Sequence, residues 1–203
     1  MQLSHILLFA TAAAAQHTLL DSGTPEDRPS SWGSPVTKQI PSAVRFRSSG
    51  LCGEAQTIDY VDFMVNTDLA DIKANATWIG VEICPSVEDV PACPPTSVAE
   101  QIPIEVRGKR TTLHWVPATP KVLEPESLYW FIVSSNVENA LQAVSWYPGS
   151  KRYGTDNDPK SDVASATRML VPWGGMDWVV EPSGGVAPLD HRRVPNAKIV
   201  VKA

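Results

Sequence analysis

The sequence predicts an all-β domain, a β-sandwich or jelly roll of about eight to ten short antiparallel strands, and three observations point that way. Eighteen prolines in 203 residues, against a usual share of about 5%, leave few windows long enough for three helical turns. The stretches between them alternate apolar with polar residues or form compact β-branched and aromatic runs, each closed by Pro, Gly, Asn or Asp. Seven tryptophans and a 43% hydrophobic content supply the core of one domain of this size.

The elements follow in chain order. Residues 1–15 read as a secretory signal peptide: the apolar run Ile6 to Ala15 ends in small residues, which predicts cleavage after Ala15. Residues 16–41 are rich in Ser, Thr, Pro, Gly and charge, with Trp32 as the only aromatic, and read as a flexible or loosely docked lead-in. The sandwich domain is expected over 42–203. Its first strand is Ala43 to Arg47. Ile58 to Val65 places Val61, Phe63 and Val65 on one face and Tyr60, Asp62 and Met64 on the other, the pattern of a half-buried strand. Thr77 to Cys84 turns Ile79, Val81 and Ile83 inward and leaves Trp78, Gly80 and Glu82 on the opposite face. Further strands are expected at Ile102 to Val106, Thr111 to Val116, Leu128 to Ser134, Leu141 to Tyr147, Arg168 to Val171, Met176 to Val180 and Ala197 to Val201. Tyr129 to Val133 is apolar on both faces and predicts a central strand covered on both sides.

Several function classes drop out at this level. A net charge of −5 with scattered basic residues gives no footprint for nucleic acid. No later stretch reaches the roughly 20 apolar residues of a membrane-spanning helix. The nucleophile elbow G-x-S-x-G, the metalloprotease motif H-E-x-x-H and the P-loop are all missing. Three cysteines and widely separated histidines offer no zinc ligand spacing. Export agrees with Asn75-Ala76-Thr77, a glycosylation sequon. Cys84 and Cys93 bracket a short loop that an oxidising compartment would close. Cys52 then remains as a buried thiol or as the true partner of either, and three single pairings stay open.

The order of features across 42–180 includes Ile58-Asp59-Tyr60-Val61-Asp62-Phe63, Ile79-Gly80-Val81-Glu82-Ile83, Leu123-Glu124-Pro125-Glu126-Ser127-Leu128-Tyr129-Trp130-Phe131 and Ser145-Trp146-Tyr147. It resembles the secreted β-sandwich domains of the choice-of-anchor kind. The resemblance implies a jelly-roll-like extracellular module with no catalytic residues to carry over. The chain departs from that pattern in having no C-terminal sorting anchor.

Candidate sites come from residue chemistry. Indole rings stack on the apolar faces of sugars while neighbouring polar groups take the hydroxyls. Trp78 with Glu82 on its face, Trp173 in the turn Pro172-Trp173-Gly174-Gly175, and Trp32 in the lead-in form the candidate glycan platform; Trp115, Trp130, Trp146 and Trp178 fall inside apolar strands and read as packing. Asp156, Asp158 and Asp162 make an oxygen-rich loop that is a candidate for Ca²⁺, although it lacks the glycine and terminal glutamate of an EF-hand. A mature amino terminus at His17, with His114 or His191 as second ligand, would suit a copper-dependent polysaccharide mono-oxygenase. The functional expectation is a secreted, non-catalytic module without a cofactor, directed at a glycan or cell wall. Its rivals are an effector-type protein that binds a cell-surface protein and, third, the copper enzyme. Mass-spectrometric identification of the mature amino terminus separates the last from the others: Gln16 is expected there, and a chain beginning at His17 is the result that revives the copper site.

Overall fold

The computed structural model describes residues 16–27, 33–50, 53–70, 77–154, 156–172, 174–181 and 193–202. Among them there is no helix, and fourteen strands build two antiparallel sheets. The all-β sandwich predicted from the sequence is the observed architecture.

The first sheet runs β1 (Gln16–Asp21), β14 (Lys198–Lys202), β4 (Gln56–Asn66), β11 (Val144–Trp146), β2 (Ser34–Val36), with β8 (Thr111–Trp115) and β9 (Val122–Leu123) also paired to β4. The second runs β13 (Met176–Val180), β12 (Ser165–Leu170), β3 (Ser42–Arg47), β10 (Leu128–Ser135), β5 (Trp78–Val87), β6 (Val90–Pro91), with β7 (Glu100–Pro103) added to β5. Two of these strands correct the reading of 16–41 as a flexible lead-in. β1 pairs with β14 from Gln16↔Lys202 to Asp21↔Lys198, and β2 pairs with β11. Polar composition hides such strands, because what orders them is pairing with residues more than a hundred positions away. The strand count also exceeds the expected eight to ten, since ladders of two or three residues such as β6 and β9 are too short to show periodicity.

The eleven residues of β4 serve four neighbours. Val61 lies opposite both Ile199 of β14 and Trp115 of β8, and Val65 opposite both Trp146 of β11 and Thr111 of β8. One edge of β4 therefore carries β14 and then β11, and the gap between those two is closed by a side chain. Asn196, 4% exposed, accepts from Met64 N–H through Oδ1 (2.6 Å) and donates through Nδ2 to the carbonyls of Met64 and Tyr147 (both 2.8 Å). Its own carbonyl accepts from the Trp146 indole N–H (2.8 Å).

Between the sheets, Phe131 of β10 meets Phe63, Trp115 and Trp146 at centroid distances of 5.3, 5.8 and 5.7 Å. Val61, Phe63 and Val65 are inward as their alternation predicts, and Ile79 and Val81 join them. The opposite face of β10 is covered as well. Trp130 and Ile132 pack with Ala43, Cys84, Ala164 and Ala166, and Cys93, Trp178 and Val180 close over them. That second cluster exists because the second sheet curls until β13 lies against β6. Arg45 ties the curl together: buried at 6%, it stacks 5.5 Å from the Trp130 ring centroid, pairs with Asp89 (2.6 Å) and donates to the Ser161 carbonyl (2.7 Å). Asp89 and Glu88 form the two-residue turn between β5 and β6 with φ of 64° and 50°, the left-handed pair that a right-twisted hairpin demands. The Cys84–Cys93 disulfide closes the same hairpin, while Cys52 lies outside the described residues.

Replacing Asn196 by alanine strands the Met64 N–H and leaves the Met64 and Tyr147 carbonyls with only their backbone donors, which costs about 2 kcal/mol. Urea denaturation of Asn196→Ala should show that loss with an unchanged m-value, and a variant within 0.5 kcal/mol of wild type, about the size of a neutral surface change, contradicts the role given to this side chain.

Candidate functional site

The residues singled out in the sequence do not assemble into one site. Trp32, Trp173, Asn75 and His191 lie outside the described residues. Trp78 begins β5 on its outward face, half-buried, with its ring edge lying over Gly80 beside Ala99 and Ser134. Glu82 shares that face, but its carboxylate is turned under the neighbouring loop: Oε2 accepts from the Ser97 hydroxyl (2.8 Å) and Oε1 lies 3.2 Å from Cys93 Sγ. A glutamate held this way fastens the disulfide loop from the face that Trp78 also occupies.

In the oxygen-rich loop offered for Ca²⁺, two of the three carboxylates bond within the chain. Asp158 accepts from the backbone N–H groups of Asp162 (2.8 Å) and Val163 (3.0 Å), and both Asp162 oxygens take the fork of Arg47 (2.7 and 2.8 Å). Asp156 is exposed at the turn. Asp158 and Asp162 organise the loop that receives Arg45, and their oxygens are directed at the chain. The histidines separate likewise. His17 stands opposite Val201 on β1, and His114 opposite Asp62 on β8. With β14 and β4 between them, strand spacing alone keeps the two about 14 Å apart, too far to share an ion.

What the structure does bring together is a row of side chains across the solvent face of the first sheet. Asp21 of β1 is opposite Lys198 of β14, Lys198 opposite Asp62 of β4, and Asp62 opposite His114 of β8. Period-two alternation turns each of them outward, and the ladder registers line them up across four strands. His114 Nδ1 lies 2.6 Å from Asp62 Oδ1. Tyr60, one outward position along β4, tilts against the His114 ring (5.0 Å between centroids), and Lys198 Nζ sits 6.0 Å over the Tyr60 ring. Beside the row runs an open groove of about 320 Å³, bounded by Asp21 and Pro25, by Asp62 and Met64, by Thr112 and by Lys198.

The acid end of the row is electrostatically set. Lys151 donates to Asp21 Oδ2 (2.9 Å) and holds this carboxyl below its ordinary value, against the opposing effect of partial burial and with help from the Gly23 N–H. Behind it, Tyr153 donates to the Asp21 carbonyl (3.2 Å), and burial pushes its phenol well up. Asp21 is thus a fixed anion, and the row alternates acceptors with donors across the four strands. Tyr60 and Asp62 were visible in the sequence as the outward half of an alternating strand. Asp21, Lys198 and their alignment were not, because register between distant strands leaves no local signature.

No family model matches the sequence, and no curated protein or solved structure is significantly similar to it.

The depressed Asp21 carboxyl has a pH consequence. A group whose folded pKa lies below its unfolded value stabilises the fold above the unfolded value and loses that contribution as pH falls through the folded one. The stability difference between wild type and Lys151→Met should therefore be present at neutral pH, at about 0.5 kcal/mol for so exposed a pair, and close as pH drops below about 4. Thermal melts of both proteins across that range check it; a gap that persists at pH 2 contradicts the assignment.

Proposed function

We propose that the protein is a secreted, non-catalytic binding module that lays an extended glycan across the outer face of its first sheet. The observation that carries this reading is the cross-strand row Asp21, Lys198, Asp62, His114 with the Tyr60 ring beside it. Sugar hydroxyls both donate and accept, so alternating carboxylate and ammonium groups suit them, and charged partners make the stronger hydrogen bonds. An aromatic ring supplies the apolar surface against which a pyranose face is buried. A row that crosses four strands beside an open groove fits a chain better than a single buried sugar. The leader-like segment 1–15, the sequon at Asn75 and the Cys84–Cys93 disulfide support an extracellular, cell-wall or cell-surface setting.

A second reading, an effector-type protein that binds a surface protein, draws on a different place. The β12–β13 hairpin presents Met169, Leu170 and Met176 at 40%, 72% and 38% exposure, an apolar tip suited to a protein partner.

A glycan array followed by calorimetry on the best oligosaccharide distinguishes the two. Tyr60→Ala and Asp62→Asn should each weaken binding about tenfold, the loss of one charge-assisted bond or one stacking face, while Leu170→Ser leaves it unchanged. Absence of any array signal, or equal binding by Asp62→Asn, removes the sheet-face reading.

A further inference from the structure

The row on the outer face has a period. Neighbouring strands lie about 4.8 Å apart, so the four positions Asp21, Lys198, Asp62 and His114 span about 14 Å. Like groups return at every second strand, carboxylates at Asp21 and Asp62 and nitrogen groups at Lys198 and His114, at a repeat of about 10 Å. All four side chains are open to a ligand: those of Asp21, Asp62 and His114 are 45%, 34% and 58% exposed, and Lys198 is exposed at the start of β14. The charges balance. With Lys151 beside Asp21, two carboxylates meet two ammonium groups, and the next pair on this face, Asp59 with Lys202 (3.6 Å), is matched as well. Such a surface favours an uncharged ligand over an acidic one.

Resting on the reading that a glycan lies on this face, we infer that the glycan is an uncharged β-1,4-linked chain running across the strands from His114 to Asp21. In such a chain each sugar advances by about one strand spacing and is turned over relative to the last. The same hydroxyl edge therefore returns at every second sugar, the period at which the carboxylates return. An α-1,4 chain coils and a β-1,3 chain curves, so neither keeps one edge against a straight row. The sheet's twist, about 20–25° per strand, is taken up by rotation at the linkages. Tyr60 flanks the row on one side, with its ring tilted against His114, and offers an apolar surface to a sugar face. On the other side the groove lined by Pro25, Met64 and Thr112 has room for the substituents that project from the chain. Its bank is held in place, since Gly23 N–H donates to Asp21 Oδ1 (2.9 Å) and Ser22 Oγ accepts from Ala197 N–H (2.7 Å).

Calorimetric titration with cello-, N-acetylchito-, malto- and laminari-oligosaccharides tests the linkage. At least one of the two β-1,4 tetrasaccharides should bind about tenfold tighter than the α-1,4 and β-1,3 ones. Four facing positions take about four sugars, so affinity should rise from the disaccharide to the tetrasaccharide and stay level at the hexasaccharide. Asp21→Asn tests the direction of the chain. It should weaken the tetrasaccharide about tenfold, one charge-assisted bond, and leave unchanged the disaccharide, which sits at the rings of Tyr60 and His114. Another linkage binding as tightly as the β-1,4 chains overturns the inference while leaving the sheet-face reading in place. So does an Asp21→Asn variant that loses nothing at the tetrasaccharide or loses equally at both lengths. Failure of every glycan to bind is the different result that removes the sheet-face reading itself, and this inference with it.

Discussion

Asn196 holds the seam of the first sheet. β14 and β11 meet β4 along the same edge without being continuous, and between them, on that edge, the backbone of Met64 has no strand partner and meets only Tyr147 N–H and Asn196. A primary amide is one of the few side chains that can stand in for a peptide group, with one acceptor and two donors in a plane, and Asn196 uses all three. Its main chain also bonds Tyr147 and Trp146, so one residue fixes the orientation of the indole that closes the core beneath Phe63 and Phe131. The row on the outer face depends on the same seam. Lys198 is two residues beyond Asn196, and a slip of β14 by one position would turn it inward and break the row.

The second sheet solves a different problem. A strand apolar on both faces, such as Tyr129 to Val133, has to be covered twice, and only one face meets the first sheet. Curling the sheet until β13 reaches β6 provides the second cover. Curling needs something to hold it, and Arg45, the disulfide and the Asp89 turn converge there. The acidic loop read from the sequence as a possible cation site is part of the same fastening, since Asp158 shapes it and Asp162 is clasped by Arg47.

What the sequence revealed was what is local. The alternation of Val61, Phe63 and Val65, the two-faced run around Trp130, and the assignment of Trp115, Trp130 and Trp146 to packing all follow from period two and residue size, and all are seen in the structure. The strands β1 and β2 escaped because their order comes from partners far along the chain. The candidate site escaped for a related reason. Its members Asp21, Asp62, His114 and Lys198 are unremarkable singly and become a row only through three registers between strands distant in sequence. Glu82 shows the same limit: its place on the face of Trp78 was legible from alternation, while the bond from Ser97 that holds its carboxylate comes from a loop whose path leaves no local signature.

The placement of β14 also bears on how the molecule comes into being. It is the last of the described strands to be synthesised, yet it lies inside the first sheet, between β1, the earliest, and β4. Until it emerges, β1 has no neighbour to pair with and the lower half of one edge of β4 stays open. Residues 16–21 must therefore wait until residues 198–202 have been made before they find their place. During that interval an unpaired edge is exposed to other chains. A protein wired in this way gains one thing in return: β1 and β14 are tethered to each other, so fraying of either strand is resisted by a partner more than 170 residues away in sequence.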